Sequence, residues 1–305
     1  MRFPARLPAP LLALTLSAAA CGGGEEPRSD AIEEAASAPA PSEWFTPAEP
    51  SHADGDERPN PEATERERDP ASSPPPAWLG TRPLERTSSG YGAAQPTPPE
   101  LVDRRLWTED ILPPPPDERF TSQVVPVPPD IAERTTWKPE CPVPLEDLRY
   151  VTVAFWGFDG LPHTGEMMLH ERVADDVVGV FAKLHAARFP LEYLLLTDDV
   201  HNTQPPTGDG NVSSTFNCRP SRGSSSWSEH AKGLAVDINP FHNPYVRGDV
   251  VLPELATAYV DRANHRPGMI QPGDVVTRAF AEIGWGWGGN WRSSKDTMHF
   301  SASGN

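Results

Sequence analysis

Two short stretches of this chain hold the residue types that metal chemistry needs. They are Ser-Glu-His-Ala-Lys-Gly-Leu-Ala-Val-Asp at 228–237 and Asp-Thr-Met-His-Phe at 296–300. Together they supply His230, Asp237 and His299, with a further carboxylate, Asp296, three residues before the last of these. Two neutral imidazoles and one carboxylate would leave a tetrahedral zinc one open position, which is the arrangement of a catalytic rather than a structural site. The mixture of nitrogen and oxygen donors suits Zn2+. Water acidified by the metal needs a base to accept its proton, and Asp296 is the nearest candidate. Taken singly, a His or Asp in a mixed domain is usually a surface or hydrogen-bonded residue, so the set rather than any member carries the signal. No His-Glu-x-x-His occurs; His170-Glu171 lacks the second histidine, which excludes the helix-borne zinc peptidase arrangement.

These residues need elements that bring them together. Gly233 and the apolar run 234–238 argue for a loop followed by a strand, with period-2 alternation pointing Ala235 and Asp237 to one side. Asp296 and His299 would lie on opposite faces of a regular strand, so a turn or bulge is expected between them. Residues 148–156 read as a strand. Val173, Val177, Val180, Phe181 and Leu184 lie on one face of a helix over 171–188, stopped by Pro190. A short buried strand is expected at 192–197, a long polar loop at 199–227, a helix at 274–283 and a last strand at 297–302. Helices and strands without regular βαβ alternation indicate an α+β class with an antiparallel sheet and flanking helices.

Composition divides the chain. Residues 22–136 hold 22 of the 38 prolines and contribute −13 of the net charge of −17. Their apolar residues keep no period, so 21–136 reads as a disordered Pro/Glu-rich linker and 137–305 as the one folded domain, large enough for a core. Basic residues are not clustered, which argues against nucleic acid as a partner. At the N-terminus Arg2 and Arg6 precede the apolar run Leu11–Leu16 and then Ala18-Ala19-Ala20-Cys21. Residues 1–20 therefore read as an export signal. The run resembles the lipobox of bacterial lipoproteins, with Ala18 where Leu is preferred; the resemblance implies an acylated Cys21 and an exported, membrane-anchored protein at the periplasm or cell surface. Cys141 and Cys218 then remain as an even pair in an oxidising compartment, where a disulfide between them is permitted and two free thiols are the alternative.

The motif Ser-x-His-x-x-Gly-x-Ala-x-Asp, carried by Ser228, His230, Gly233, Ala235 and Asp237, resembles that of the zinc D-alanyl-D-alanine carboxypeptidase and L-alanyl-D-glutamate peptidase family, of the Hedgehog/DD-peptidase fold. Asp237-Ile-Asn-Pro, Asn243-Pro-Tyr, Phe216-Asn-Cys-Arg219, Gly286-Trp-Gly-Gly-Asn-Trp291 and Asp296-x-x-His299 are similar to its L-alanyl-D-glutamate endopeptidase branch. The resemblance spans about 141–300. It implies that His230, Asp237 and His299 bind Zn2+, that Asp296 is the general base and that Arg219 holds substrate and the oxyanion, with peptidoglycan stem peptides as substrate. Two alternatives remain: a D-alanyl-D-alanine carboxypeptidase or dipeptidase, and a non-catalytic zinc-containing domain that binds wall or a protein partner. The chain departs from the pattern at Thr297-Met298 and at Ser301-Ala-Ser, where Tyr-Gln and an acidic residue are frequent. Trp285, Trp287 and Trp291 are expected to pack the scaffold, and His242 to lie behind the ligands or on the surface.

Overall fold

The computed structural model describes residues 67–87, 90–198, 204–221 and 223–305, all within one unit, Glu62–Asn305. The export signal, Cys21, and the first part of the expected linker lie outside the described residues.

The main sheet is built on a hairpin. Strand β2 (Leu148–Gly157) pairs antiparallel with β3 (Pro162–His170), from Leu148 opposite His170 to Trp156 opposite Pro162. On the other edge, β1 (Ser122–Pro126) pairs antiparallel with β2. Alternation sends Val151, Val153, Phe155, Met167 and Leu169 to one face, where α2 (Glu171–Ala186) covers them. The helix buries Val173, Ala174, Val177, Val180, Phe181 and Leu184, the spacing of a single helical stripe. It ends through Arg188, which adopts a left-handed φ of 50°, just before Pro190. A further helix, α3 (Val275–Glu282), is capped by Asp274, whose carboxylate accepts the Thr277 N–H at 2.8 Å. It adds Val276, Ala279 and Phe280 to the same core. The mixed α+β reading is thus borne out; among the described residues parallel pairing joins β4 (Pro190–Leu191) to β2, β5 (Tyr193–Leu194) to β6 (Val212–Ser213), and Ser73 to Leu106 in an isolated bridge.

Two expectations need correction. Residues 67–136 are not a free linker. Leu101 and Leu106 are fully buried with Phe241, Ala256 and Tyr259, and β1 completes the main sheet. Ile131, in the short helix α1 (Pro129–Glu133), is also buried. The segment has no core of its own; it is ordered by apolar surface that the domain already presents, so its own composition does not reveal it. An ion pair fastens it further: Arg104 Nε and Nη2 donate to the two Glu192 carboxylate oxygens at 2.7 and 2.6 Å, and Nη1 to the Asp209 carbonyl at 2.7 Å. The second correction is to the strand expected at 192–197, of which only β5 forms; Glu192, between β4 and β5, turns its carboxylate to Arg104 and its N–H to Asn239 Oδ1 at 3.2 Å.

A candidate metal centre

The three candidate ligands lie on three short elements packed over the core. Ser228 caps a 3₁₀ turn, Glu229–Lys232, its side chain accepting the His230 N–H at 3.3 Å. Gly233 ends the turn with φ +68°, and a Cβ there would stand 2.6 Å from the His170 main-chain nitrogen, so only glycine fits. The chain then enters β7 (Ala235–Asp237), which pairs antiparallel with β12 (His299–Ser301). β12 in turn pairs with β10 (Gly286–Trp287). In the β7–β12 register Val236 faces Phe300, both fully buried, and Phe300 stacks on Phe280 at 4.1 Å. Asp237 lies directly opposite His299, and period 2 sends this pair to the face away from the core. The turn expected between Asp296 and His299 is present: β11 (Lys295–Asp296) pairs with β8 (Tyr245–Arg247), which makes a hairpin with β9 (Val250–Leu252), while residues 297–298 turn the chain into β12.

The donor atoms converge. His230 Nε2 is 3.2 Å from His299 Nδ1 and 3.3 Å from an Asp237 oxygen, and His299 Nδ1 is 3.0 Å from the other Asp237 oxygen. Ligands about 2.0–2.1 Å from a tetrahedral zinc stand about 3.3–3.4 Å apart, close to these separations. The outer ring nitrogens are committed elsewhere. His230 Nδ1 donates to the Thr215 carbonyl, and His299 Nε2 donates to the Asn305 main-chain oxygen at 3.3 Å. Because a main-chain oxygen can only accept, each bond keeps a proton on the outer nitrogen, so that the inner nitrogen can offer its lone pair to a cation. Two imidazole lone pairs at 3.2 Å repel one another unless a cation lies among them, so the residues fit a metal ion.

Electrostatics agree. With protons in place of a metal on the inner nitrogens, burial would push the Asp237 carboxyl up, but the His230 charge and hydrogen bonds from both imidazoles hold it well below the usual carboxylate range. Burial works against a charged His299, yet the hydrogen bond and charge of Asp237, with Asp296 adding its own charge, raise the pKa of that ring. The pocket is anionic and attracts positive charge. His230 and His299 expose only 5% and 8% of their side chains, while Asp237 exposes 19%, so solvent reaches the cluster from the carboxylate side.

The other candidates are nearby in differing degrees. Asp296 is close enough to bias His299, and Gly288 gives it room: a Cβ there would lie 2.9 Å from the Asp296 Cβ. Arg219 is half-buried in the loop ahead of the 3₁₀ turn; its carbonyl accepts the Ser228 N–H at 3.2 Å and its guanidinium donates to the Pro220 carbonyl at 3.2 Å. That loop is tied to the upstream chain by a disulfide between Cys141 and Cys218, Cα atoms 5.8 Å apart, which resolves the cysteine alternatives. Trp285 is buried against Phe280 and Trp287 stacks over Phe300, as scaffold, whereas Trp291 is partly exposed and its ring centroid lies 5.5 Å from that of His299. His242 is not on the surface. It is fully buried, donating from Nε2 to the Arg104 carbonyl at 2.8 Å and meeting the Asn211 amide at 3.1 Å through Nδ1. Thr215 had no sequence signal at all: its hydroxyl joins the Met168 N–H and carbonyl, and its own carbonyl orients His230.

Residues 222–302 match the sequence model of a family described as D-alanyl-D-alanine carboxypeptidase. The matched span contains all three converging side chains and Asp296. Comparison with curated proteins and with solved structures finds no match.

Proposed function

We propose that the protein is a zinc peptidase acting on peptidoglycan stem peptides, with L-alanyl-D-glutamate-type endopeptidase cleavage. One observation carries the reading: His230, Asp237 and His299, on separate elements, bring three ligand atoms together inside the segment that resembles a peptidase family. His230 through Nε2, His299 through Nδ1 and Asp237 through its carboxylate would hold the ion. Bound zinc supplies Lewis acidity, polarising a carbonyl and lowering the pKa of water. The protein's own groups do the rest. Asp296 takes the proton of the attacking water and returns it to the leaving amine. The Arg219 guanidinium donates hydrogen bonds to the developing oxyanion or to a substrate carboxylate. We further read Cys21 as an acylated anchor on an exported protein; a Cys21→Ala variant should then move from the membrane to the soluble fraction.

The description of the matched family favours a second reading, removal of a terminal D-Ala. Digestion of purified muropeptides, with and without a chelator, separates the two by product mass. Cutting after L-Ala supports the endopeptidase, and loss of one Ala supports the carboxypeptidase. Asp296→Asn should keep zinc but abolish turnover. Unchanged digestion by that variant, or digestion that survives the chelator, would remove the zinc-peptidase reading altogether.

A further inference from the structure

Both imidazoles of the cluster are oriented from behind by main-chain oxygens, but the two supports differ in kind. Thr215 sits in the interior, between β6 and the disulfide-tied loop. The oxygen behind His299 belongs to Asn305, in a turn that folds back on β12. That turn is fastened at several points. Ser301 Oγ donates to the same Asn305 oxygen at 2.8 Å, and the Gly304 N–H donates to the Ser301 carbonyl at 3.2 Å. Trp291 Nε1 donates to the Gly304 carbonyl at 2.9 Å while its ring lies against His299. Gly286 lets the turn approach: a Cβ there would lie 2.4 Å from the Gly304 Cα. Gly304 itself adopts φ +76°, a conformation that glycine takes without strain.

So many fastenings on one short turn have a single shared consequence, which is to place one oxygen 3.3 Å from His299 Nε2. We propose that residues 301–305 form a positioning clip for His299. The Asn305 main-chain oxygen, shared between Ser301 Oγ and His299 Nε2, holds the ring in the orientation that directs Nδ1 at Asp237 and His230. Ser301 thereby does at this position what an acidic side chain could do directly: it fixes the acceptor that the ring needs. Groups that orient a ligating histidine in this way typically change metal affinity about 10- to 100-fold when removed. The affinity consequence rests on the zinc reading above; the fixed orientation of the ring does not.

The experiment is done on the full chain with zinc alone as the probe. Removing Gly304 and Asn305 should weaken zinc binding about 10- to 100-fold in a chelator competition, and should shift the visible spectrum of the cobalt-substituted protein. The full-length Asn305→Ala variant should keep wild-type affinity and spectrum, because the acceptor is main chain. In the metal-free protein the His299 ring resonances should be single and sharp in the wild type and doubled or exchange-broadened in the truncated chain, whose ring has lost its rear support. An affinity within about twofold of wild type, with the ring resonances unchanged, overturns the clip. If the truncated chain fails to melt cooperatively, Ser301→Ala decides: a several-fold loss of affinity supports the clip and wild-type affinity overturns it. If the wild type takes up no zinc, the metal reading fails while the ring resonances of the metal-free protein still decide the clip.

Discussion

The docking of residues 67–136 turns on the Arg104–Glu192 pair, and that pair makes a sharp prediction. Both side chains are almost wholly withdrawn from water, at 1% and 2% exposure. The guanidinium makes three hydrogen bonds of 2.6–2.7 Å, and Glu192 accepts a further one from Asn211 at 2.7 Å. Replacing Arg104 by Met removes the cation but leaves the Glu192 carboxylate buried with one amide donor. Breaking a buried pair from one side costs about 3–5 kcal/mol. For a unit of this size about 1 kcal/mol moves the melting temperature by about 2–4 °C, so the variant should melt about 6–20 °C lower. The double variant Arg104→Met/Glu192→Met should melt no lower than the worse single one, since the stranded charge is gone. Circular dichroism melts of the full chain and the two-by-two cycle measure both quantities. A single variant melting within about 2 °C of wild type, or losses that simply add, would refute the claim that this segment is part of the fold.

Four further outcomes follow from the same contacts. Gly233→Ala combines a left-handed φ with a 2.6 Å approach to the His170 nitrogen; it should cost more than about 1 kcal/mol and weaken zinc binding, since the turn that it ends carries His230, and an unchanged melt and affinity would count against this. Phe300→Ala should cost about 3–5 kcal/mol and also lower zinc affinity, whereas stability loss with full affinity would separate core from site. Burial lowers the pKa of His163, but hydrogen bonds to Asp159 and Asp110 outweigh it and raise the value; its stabilisation is therefore complete below the ordinary histidine value of about 6.5 and is lost as pH rises through the raised pKa. His242, pushed down to about 3 by burial, does the opposite: its contribution is complete above about 6.5 and is lost as pH falls towards the lowered value. Urea unfolding across pH should thus lose its alkaline slope in His163→Gln and part of its acid slope in His242→Gln. The Cys141–Cys218 bridge spans 77 residues of chain, for which loop-closure entropy gives about 4.5 kcal/mol; reduction should lower the melting temperature, and a melt indifferent to reductant would leave the bridge without a role in stability.

What could be read from the sequence depended on how local the cause was. The loop at Gly233 and the strand expected over 234–238 are each dictated within a few residues, and they brought His230 and Asp237 into one reading. The helix at 171–186 was legible because its stripe of Val, Phe and Leu repeats at helical spacing. Strand β3 was not, since Pro162, Gly165 and a Met-Met pair break any alternation; Gly165 is there because a Cβ would strike Leu194 at 2.6 Å. The docked segment was illegible for a related reason. Its apolar anchors are single residues, Leu101, Leu106 and Ile131, each seated in a groove made by distant sequence. Composition averages such residues away, and Arg104 gives no sign that its partner is 88 positions on.

The coupling of site to core follows from register. In β7 and β12 one cross-strand pair, Val236 and Phe300, points into the core, and the next pair, Asp237 and His299, points out of it. A slip of one residue would send every side chain to the opposite face, burying the carboxylate against Phe280. The hydrophobic core therefore selects the register, and the register sets the 3.0 Å between His299 and Asp237. His230 arrives by a separate route, a capped turn whose carbonyl accepts the Asn217 N–H at 3.2 Å and whose ring is aimed by Thr215. Two independently fixed pieces of backbone thus meet at one point, and groups held apart from their neighbours by packing rather than by mutual attraction can keep like lone pairs facing one another. That is the physical requirement for a preorganised cation site.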